Sequence, residues 1–238
     1  MPKRSLIVFS LFFCLAAFSR HAVVVPEASA GWNEAKEAYE KGDYAKAYDE
    51  FKALAEKGNA DAQWDLGALY NNGQGVQQDY VEAAKWFRKA AEQGVAGAQY
   101  DLGVLFNNGQ GVPQDYAEAV KWFTKAAEQG VAGAQYELGL MFYSGKEVAQ
   151  DYAEALKWLS KAAEQGVADA QYVLGVMFYN GIGVPQDFVQ AHVYFNLAAA
   201  RGNAEAITAR DEVAEKMTPA QITEAQRMAD EWKPKGKD

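Results

Sequence analysis

A unit of 36 residues is repeated four times in tandem, and this repeat constrains the fold more than any other feature of the chain. The copies cover residues 60–95, 96–131, 132–167 and 168–203, and the first two are identical at 28 of 36 positions. A strict period of this length is typical of stacked supersecondary units, because one unit cannot bury its apolar face alone. The sequence therefore predicts a solenoid that offers a long surface to a partner.

Each unit contains two helical segments joined by a loop with two glycines. In the first copy, apolar residues recur at helical spacing from Ala62, Gly73 and Gly75 lie in the loop, and Asp79 precedes the second segment. Glycine supplies the positive φ that ends a helix, and aspartate is a preferred N-cap. Glu82, three residues after Asp79, predicts a reciprocal capping box. We expect an all-α chain, an α/α superhelical solenoid of tandem helix–turn–helix repeats.

Small residues at unit positions 8 and 24 predict a close approach of the two helices in each unit, because interiors are too densely packed to accept bulk at such a contact. Counting from the first residue of each copy, these pairs are Gly67 and Ala83, Gly103 and Ala119, Gly139 and Ala155, and Gly175 and Ala191.

The flanking segments complete the predicted stack. Residues 31–59 share a spacing of 36 with the first copy and indicate a truncated repeat without the second loop glycine. Residues 204–238 predict capping helices and a tail, with Thr218-Pro219 at the start of the last helix. A polar cap of this kind is what a solenoid requires at its end.

The repeated motif resembles a known family. It reads A-x-A-Q-[YW]-x-L-G-x-x-[YF]-x-x-G-x-G-V and then D-[YF]-x-x-A-x-x-[WY], although the third copy has Glu147 in place of the second loop glycine. This pattern is similar to the Sel1-like repeat, a variant of the tetratricopeptide repeat. The resemblance implies a superhelical solenoid that binds proteins or peptides in a concave groove, and many bacterial members are exported.

The amino terminus has the pattern of a secretory signal peptide over residues 1–30. Lys3 and Arg4 precede an apolar run at 6–18, and Ala28-Ser29-Ala30 has the form of a cleavage site. We therefore expect an exported, periplasmic or secreted protein with no stable membrane span after cleavage, since the run is too short for an ordinary transmembrane helix. Retention of the segment as an anchor remains open.

The net charge limits the classes of partner that the chain can bind, and the cysteine content limits its disulfides. The formal net charge is −9, and loss of Lys3, Arg4, Arg20 and Glu27 with residues 1–30 would make it −11. An acidic chain repels phosphate backbones, so we predict no nucleic-acid partner. Cys14 is the one cysteine, and a protein without it forms no disulfide.

The sequence offers little for catalysis, metal or cofactor binding. After residue 30, the chain has two serines, Ser144 and Ser160, neither of which starts an S-x-x-K motif, and one histidine, His192. One histidine without cysteine excludes the usual zinc sets, and the Gly-x-Gly loops lack the lysine of a phosphate loop. We predict no enzyme activity, no cofactor and no metal, although hydrolysis of β-lactams, linked to some relatives, remains the less favoured alternative.

The first helix of each unit supplies the candidate binding site. The resemblance implies that unit positions 5, 12 and 13 face the groove, where aromatic rings anchor a partner and amides bond its backbone. The candidate residues are Trp64, Asn71, Asn72, Tyr100, Asn107, Asn108, Tyr136, Tyr143, Tyr172, Tyr179 and Asn180. Two structural alternatives stay open: the position-5 rings wedge adjacent repeats, and the asparagines only finish the helix.

Together these patterns predict a non-catalytic scaffold or adaptor that binds a protein or peptide. Because aromatic faces and amides also suit sugar rings, a module that binds cell-wall glycan, such as peptidoglycan, is the alternative function.

Overall fold

The computed structural model describes residues 27–146 and 148–233, and in these ranges all regular secondary structure is helical. From α1 to α11, each helix packs mainly against its neighbours in sequence, and α12 packs against α10. This arrangement confirms the predicted all-α solenoid. The helices are α1 Glu27–Glu40, α2 Tyr44–Glu56, α3 Ala60–Asn72, α4 Tyr80–Glu92, α5 Ala96–Asn108, α6 Tyr116–Glu128, α7 Ala132–Ser144, α8 Tyr152–Glu164, α9 Ala168–Asn180, α10 Phe188–Ala199, α11 Ala204–Ala214 and α12 Pro219–Glu231.

The repeats alternate two kinds of helix. We call α3, α5, α7 and α9 the first helices and α4, α6, α8 and α10 the second helices. Residues 1–26 of the proposed signal segment 1–30, the loop residue Glu147 and the end of the tail at 234–238 lie outside the described residues. Helix α1 begins at Glu27, so the predicted cleavage triplet at 28–30 belongs to its first turn.

The predicted N-caps are present, but the reciprocal capping box within the repeats is wrong. The Asp79 carboxylate accepts hydrogen bonds from the backbone N–H groups of Val81 and Glu82 at 2.9 and 3.0 Å. The backbone N–H of Asp79 donates instead to the Tyr70 carbonyl at 3.0 Å, and the Glu82 carboxylate pairs with Lys85 at 2.6 Å. The Tyr70 carbonyl, near the end of the preceding helix, therefore accepts the backbone N–H that a capping box would direct to the Glu82 side chain.

The second loop glycine is required for two reasons. Gly75 has φ +70°, which L side chains rarely adopt, and a Cβ atom there would lie 2.1 Å from the Tyr44 carbonyl oxygen of the preceding unit. Gly111 repeats this geometry, with Tyr80 at the same distance. The Gly-x-Gly loop is thus a contact between neighbouring repeats.

Close packing of the two helices in each unit is confirmed at position 8. A Cβ atom on Gly67 would lie 2.5 Å from the Phe87 ring, and one on Gly103 would lie 2.7 Å from the Phe123 ring. The large residue of unit position 28 therefore fills the space that each glycine leaves. Phe87 and Phe123 are almost completely buried as a result.

A clamp of buried glutamines joins successive units, and the sequence analysis did not anticipate it. The Gln99 side-chain amide donates to the Ala91 carbonyl at the end of α4 (3.1 Å), and its oxygen accepts from Gln129 at the end of α6 (2.7 Å). Gln63 and Gln135 repeat both contacts. In the fourth copy, Gln171 keeps the carbonyl contact at 3.1 Å, but its oxygen has no protein partner because Arg201 replaces the second glutamine.

The clamp predicts a graded loss of stability in two matched variants. Gln99→Leu removes two buried hydrogen bonds, to the Ala91 carbonyl and from Gln129, although both groups keep a bond to Gly94. It should lower the free energy of unfolding by about 1–3 kcal/mol. Gln171→Leu removes only the carbonyl contact and should cost about 1 kcal/mol less. Urea unfolding followed by circular dichroism measures both values, and equal losses would contradict a contribution from the glutamine pair.

Candidate functional site

The position-5 aromatics pack between adjacent repeats. The Trp64 ring covers Gly97 of the next unit, where a Cβ atom would lie 2.4 Å from the ring. Tyr100 lies beside Gly133 and has its ring centroid 5.8 Å from that of Phe123, and Tyr172 lies 5.7 Å from Phe195 in the same way. These rings are half-buried, as is Tyr136. The structure therefore gives them a packing role, while a role in partner binding stays a prediction.

The asparagines at positions 12 and 13 form short hydrogen-bond chains at the helix ends. Asn107 donates its side-chain amide to Asn108 at 3.0 Å, and Asn108 donates to Gln110 at 3.3 Å. Asn71 and Asn72 make the same contacts in the first copy, and Asn180 donates to the Val176 carbonyl. Asn107 is half-buried and Asn108 is exposed, so these side chains both order the loop and remain at the surface.

Two cavities lie on the wall formed by the first helices. The first, of about 260 Å³, is bordered by Asn107 of α5 and by residues of α7 that include Glu137 and Tyr143. The second, of about 200 Å³, lies between α9 and α11 and is bordered by Tyr172, Tyr179 and Asn180. The structure thus brings predicted site residues of two repeats together at the first cavity, and three predicted residues of α9 line the second.

A row of carboxylates at position 6 also lies on this wall, and the sequence analysis missed it. Trp32 donates its indole N–H to Asp65 at 2.9 Å, and Trp64 donates to Asp101 at 2.6 Å. Burial raises the pKa of Asp65 and of Asp101, while the indole hydrogen bond opposes that change. The signal was available, because an acid recurs at the same unit position in three copies.

Glu137 is the member of this row without such a donor. The residue at the position equivalent to the Trp64 donor is Tyr100, which interacts with Glu137 through charge and not through a hydrogen bond. Burial raises the pKa of Glu137 with no opposing contact. Within the described ranges, Glu137 accepts no hydrogen bond and forms no ion pair, so it is a half-buried carboxylate open to a ligand.

A third cavity, of about 390 Å³, lies on the opposite wall, between α4 and the loop at Gly111 and Val112. The charged residues around it have internal contacts: Lys85 pairs with Glu82, Lys89 lies 3.8 Å from the Trp86 ring centroid, and Arg88 lies 5.3 Å from that of Phe106. These cations are already engaged, and the cavity therefore makes a weaker candidate for ligand binding.

His192 is a packed residue in the second helix of the last repeat. It is 2% exposed, and its Nδ1 atom has no hydrogen-bond partner. Burial lowers its pKa, helped by the nearby Arg210 and opposed by Asp211. A buried neutral imidazole with no nucleophile at hydrogen-bond distance lacks the geometry of a general base.

Two properties of the described residues concern metal binding and membrane insertion. Across residues 27–146 and 148–233, no three His, Cys, Asp or Glu side chains are grouped so that they could hold a metal ion. Over the same ranges, none of the helices combines the length and apolar character that a membrane span requires.

The fold and the repeated contacts define a solenoid of helical pairs in the tetratricopeptide superfamily. A family model for the Sel1 repeat matches residues 60–95, 96–131, 132–167 and 168–203. The chain therefore belongs to the Sel1 repeat family, whose proteins are generally non-catalytic scaffolds that bind other proteins. The resemblance inferred from the motif is confirmed.

Solved structures of similar proteins agree with this assignment. The chain is similar to a Sel1 repeat protein from Oxalobacter formigenes, with 32% identity and a TM-score of 0.72 over 84% of this chain and 83% of the other. A protective antigen present in uropathogenic Escherichia coli strains, with an SLR fold, shows 34% identity and a TM-score of 0.59 over 86% of this chain and 53% of the antigen. No curated protein gave a significant match.

The buried His192 predicts a pH dependence of stability. Because its folded-state pKa is lowered, the unfolded chain binds a proton more readily, and stability should fall as the pH drops below the ordinary histidine value of about 6.5. His192→Leu installs the residue that Leu156 provides in the third copy. Between about pH 7.5 and pH 5, the variant should lose less unfolding free energy than the wild type. Parallel curves in urea titrations would contradict the prediction.

Proposed function

We propose that this chain is an exported, non-catalytic scaffold that binds a protein or peptide partner along the wall of its first helices. The observation that carries the proposal is the 260 Å³ cavity, where Asn107, Glu137 and Tyr143 from two neighbouring repeats meet. It combines an amide, a carboxylate and an aromatic ring at a junction that the repeat produces. Concave sites with a few converging polar groups on an apolar wall are typical of binding sites.

An extended segment is the form of partner that this wall suits best. The four first helices present equivalent residues once per repeat, so successive parts of one segment could meet equivalent positions. The second cavity, beside Tyr172 and Tyr179, lies two repeats further along the same wall and continues into α11. Half-buried tyrosines add contact area with little conformational cost, which makes them suitable anchors.

The absence of catalysis is part of the proposal and follows from the available groups. His192 is buried and has no nucleophile bonded to it. Ser144, at the end of α7, donates to the Met141 carbonyl at 3.3 Å. Acyl transfer needs a nucleophile and a base within hydrogen-bond distance, and neither serine after residue 30 offers that pairing with the histidine.

Photocrosslinking tests where the partner binds. The photoreactive residue p-benzoylphenylalanine at position 143, Tyr143→p-benzoylphenylalanine, places the probe in the 260 Å³ cavity while an aromatic ring is kept. The matched control carries it at Lys121, which is exposed on the second helix α6. In cells of the source organism, we expect a discrete protein adduct from position 143 and none from position 121.

A second variant makes the same test quantitative. Asn107→Ala should weaken binding of the crosslinked partner by about 2 kcal/mol if this amide belongs to a hot spot. Adducts from position 121 alone would contradict the first-helix wall as the site. Retention on insoluble cell-wall glycan, without a protein adduct, would favour the glycan-binding alternative.

Export is tested by the mass of the protein outside the cytoplasm. The pattern at residues 1–30 predicts cleavage after Ala30, which would place the mature amino terminus at Gly31 within α1. Intact-mass spectrometry of the periplasmic or secreted fraction should therefore give the mass of residues 31–238. A full-length protein confined to the cytoplasm would contradict export and leave the binding proposal standing.

A further inference from the structure

Glu137 is placed differently from the other half-buried acids of its row. Asp65 and Asp101 each receive an indole hydrogen bond from the preceding unit. Glu137 lines the 260 Å³ cavity and has no donor or cation bonded to it in the described part of the chain. Lys146, at the edge of the same cavity, forms no ion pair with it. A half-buried carboxylate loses hydrogen bonds to water, and here no protein group replaces them. A ligand with a hydrogen-bond donor would replace the lost bonds.

The helical cations of the repeats lie only on the second helices, which also carry glutamates, whereas the first helices carry acids alone. The four first helices contain no lysine, arginine or histidine, and they carry Asp61, Asp65, Asp101, Glu137 and Asp169. The second helices α4, α6 and α8 carry the cations Lys85, Arg88, Lys89, Lys121, Lys125, Lys157 and Lys161. A wall with one sign of charge attracts partners of the opposite sign and repels partners of its own sign.

The cations of the second helices are also held in place. Lys121 and Lys157 pair with Glu118 and Glu154 at 2.9 Å. Lys125 and Lys161 lie 4.2 and 4.6 Å from the centroids of the Trp122 and Trp158 rings. These internal contacts keep the cations of the second helices away from Glu137, and Lys146, in the loop after α7, borders the cavity without an ion pair to Glu137 in the described residues.

We propose that the partner of this wall is a basic protein segment, and that Glu137 anchors one lysine or arginine side chain of that segment. This inference rests on the proposed function. Asn107 donates one of its two side-chain N–H groups to Asn108, and its amide oxygen accepts no hydrogen bond within the described residues, so it can accept one from a ligand in the cavity. Two acceptors, Glu137 and Asn107, suit an ammonium or guanidinium group, which carries donors and no acceptor. Tyr143 provides an aromatic surface for the aliphatic part of such a side chain.

Defined peptides test the inference without knowledge of the natural partner. The probe is a fluorescein-labelled peptide of alternating lysine and glycine, and the matched peptides carry glutamine or glutamate in place of lysine. Fluorescence anisotropy at low salt should show binding of the lysine peptide, with weaker binding of the other two and a loss of affinity as salt is added. Equal binding of the lysine and glutamine peptides would overturn the proposal.

Two charge-matched variants locate the anchor. Glu137→Gln should weaken binding of the lysine peptide about tenfold, the effect of losing one charge-assisted contact. Glu128→Gln removes the same charge from an exposed position on the second helix α6 and should leave the affinity within about twofold of wild type. Equal losses in both variants would show a general charge effect and would overturn the assignment to Glu137.

Thermal stability separates an anchor from a structural residue. Because burial disfavours the ionised form of Glu137, the neutral glutamine should leave the melting temperature unchanged or raise it while binding is lost. A lower melting temperature together with unchanged binding would overturn the proposal. If position 143 yields protein adducts but Glu137→Gln binds the lysine peptide normally, the basic-partner inference fails and the proposed function stands.

Discussion

The buried glutamine clamp is the contact on which the stacking of this protein depends. Each clamp joins the ends of three consecutive helices, because Gln99 bonds both the Ala91 carbonyl and Gln129. A buried amide is most stable when both its donor and its acceptor are bonded, and a shift of one unit relative to the next would break those bonds. Unlike the apolar contacts around it, the clamp therefore specifies one register. It ends at Arg201, which instead donates to the Leu197 carbonyl and lies 4.7 Å from the Trp232 ring centroid, where the cap covers the stack.

Because the register is fixed, a difference between copies at one unit position changes which contacts are made with the next unit. Trp64 and Tyr100 occupy the same unit position, but only the tryptophan donates a hydrogen bond to the carboxylate of the next unit. Asp101 is consequently held within the structure, whereas Glu137 remains open to the cavity. The repeat thus builds the wall, and the departure from the repeat creates the candidate anchor. The cost is an uncompensated carboxylate, which is the kind of local destabilisation that binding sites commonly retain.

The two walls of the solenoid differ in the side chains they carry and in how these contact one another. On the second helices, tryptophans, lysines and glutamates contact one another, and these contacts stabilise the helices that carry them. On the first helices, acids and amides lie among half-buried aromatics without any basic residue. His192 is enclosed near the cap, and its Nδ1 atom has no hydrogen-bond partner among the described residues. Recognition of a partner is therefore the activity that this arrangement supports best.

The period of 36 residues determined the helical solenoid, and local rules determined its helix ends, because the caps at Asp79 and Thr218 and the loop glycines depend on residues close in sequence. The same reasoning found the close contact at Gly67 and the residues Asn107 and Tyr143 that border the cavity. It missed the glutamine clamp and Glu137, and it predicted a capping box that the Tyr70 carbonyl prevents. The Tyr70 carbonyl and Asp79 lie about nine residues apart within one unit. The Gln99–Gln129 pair and the indole donor that Glu137 lacks instead join residues of adjacent units that lie 30 and 37 positions apart. Only the tertiary structure decides whether a buried polar group finds its partner across such a distance.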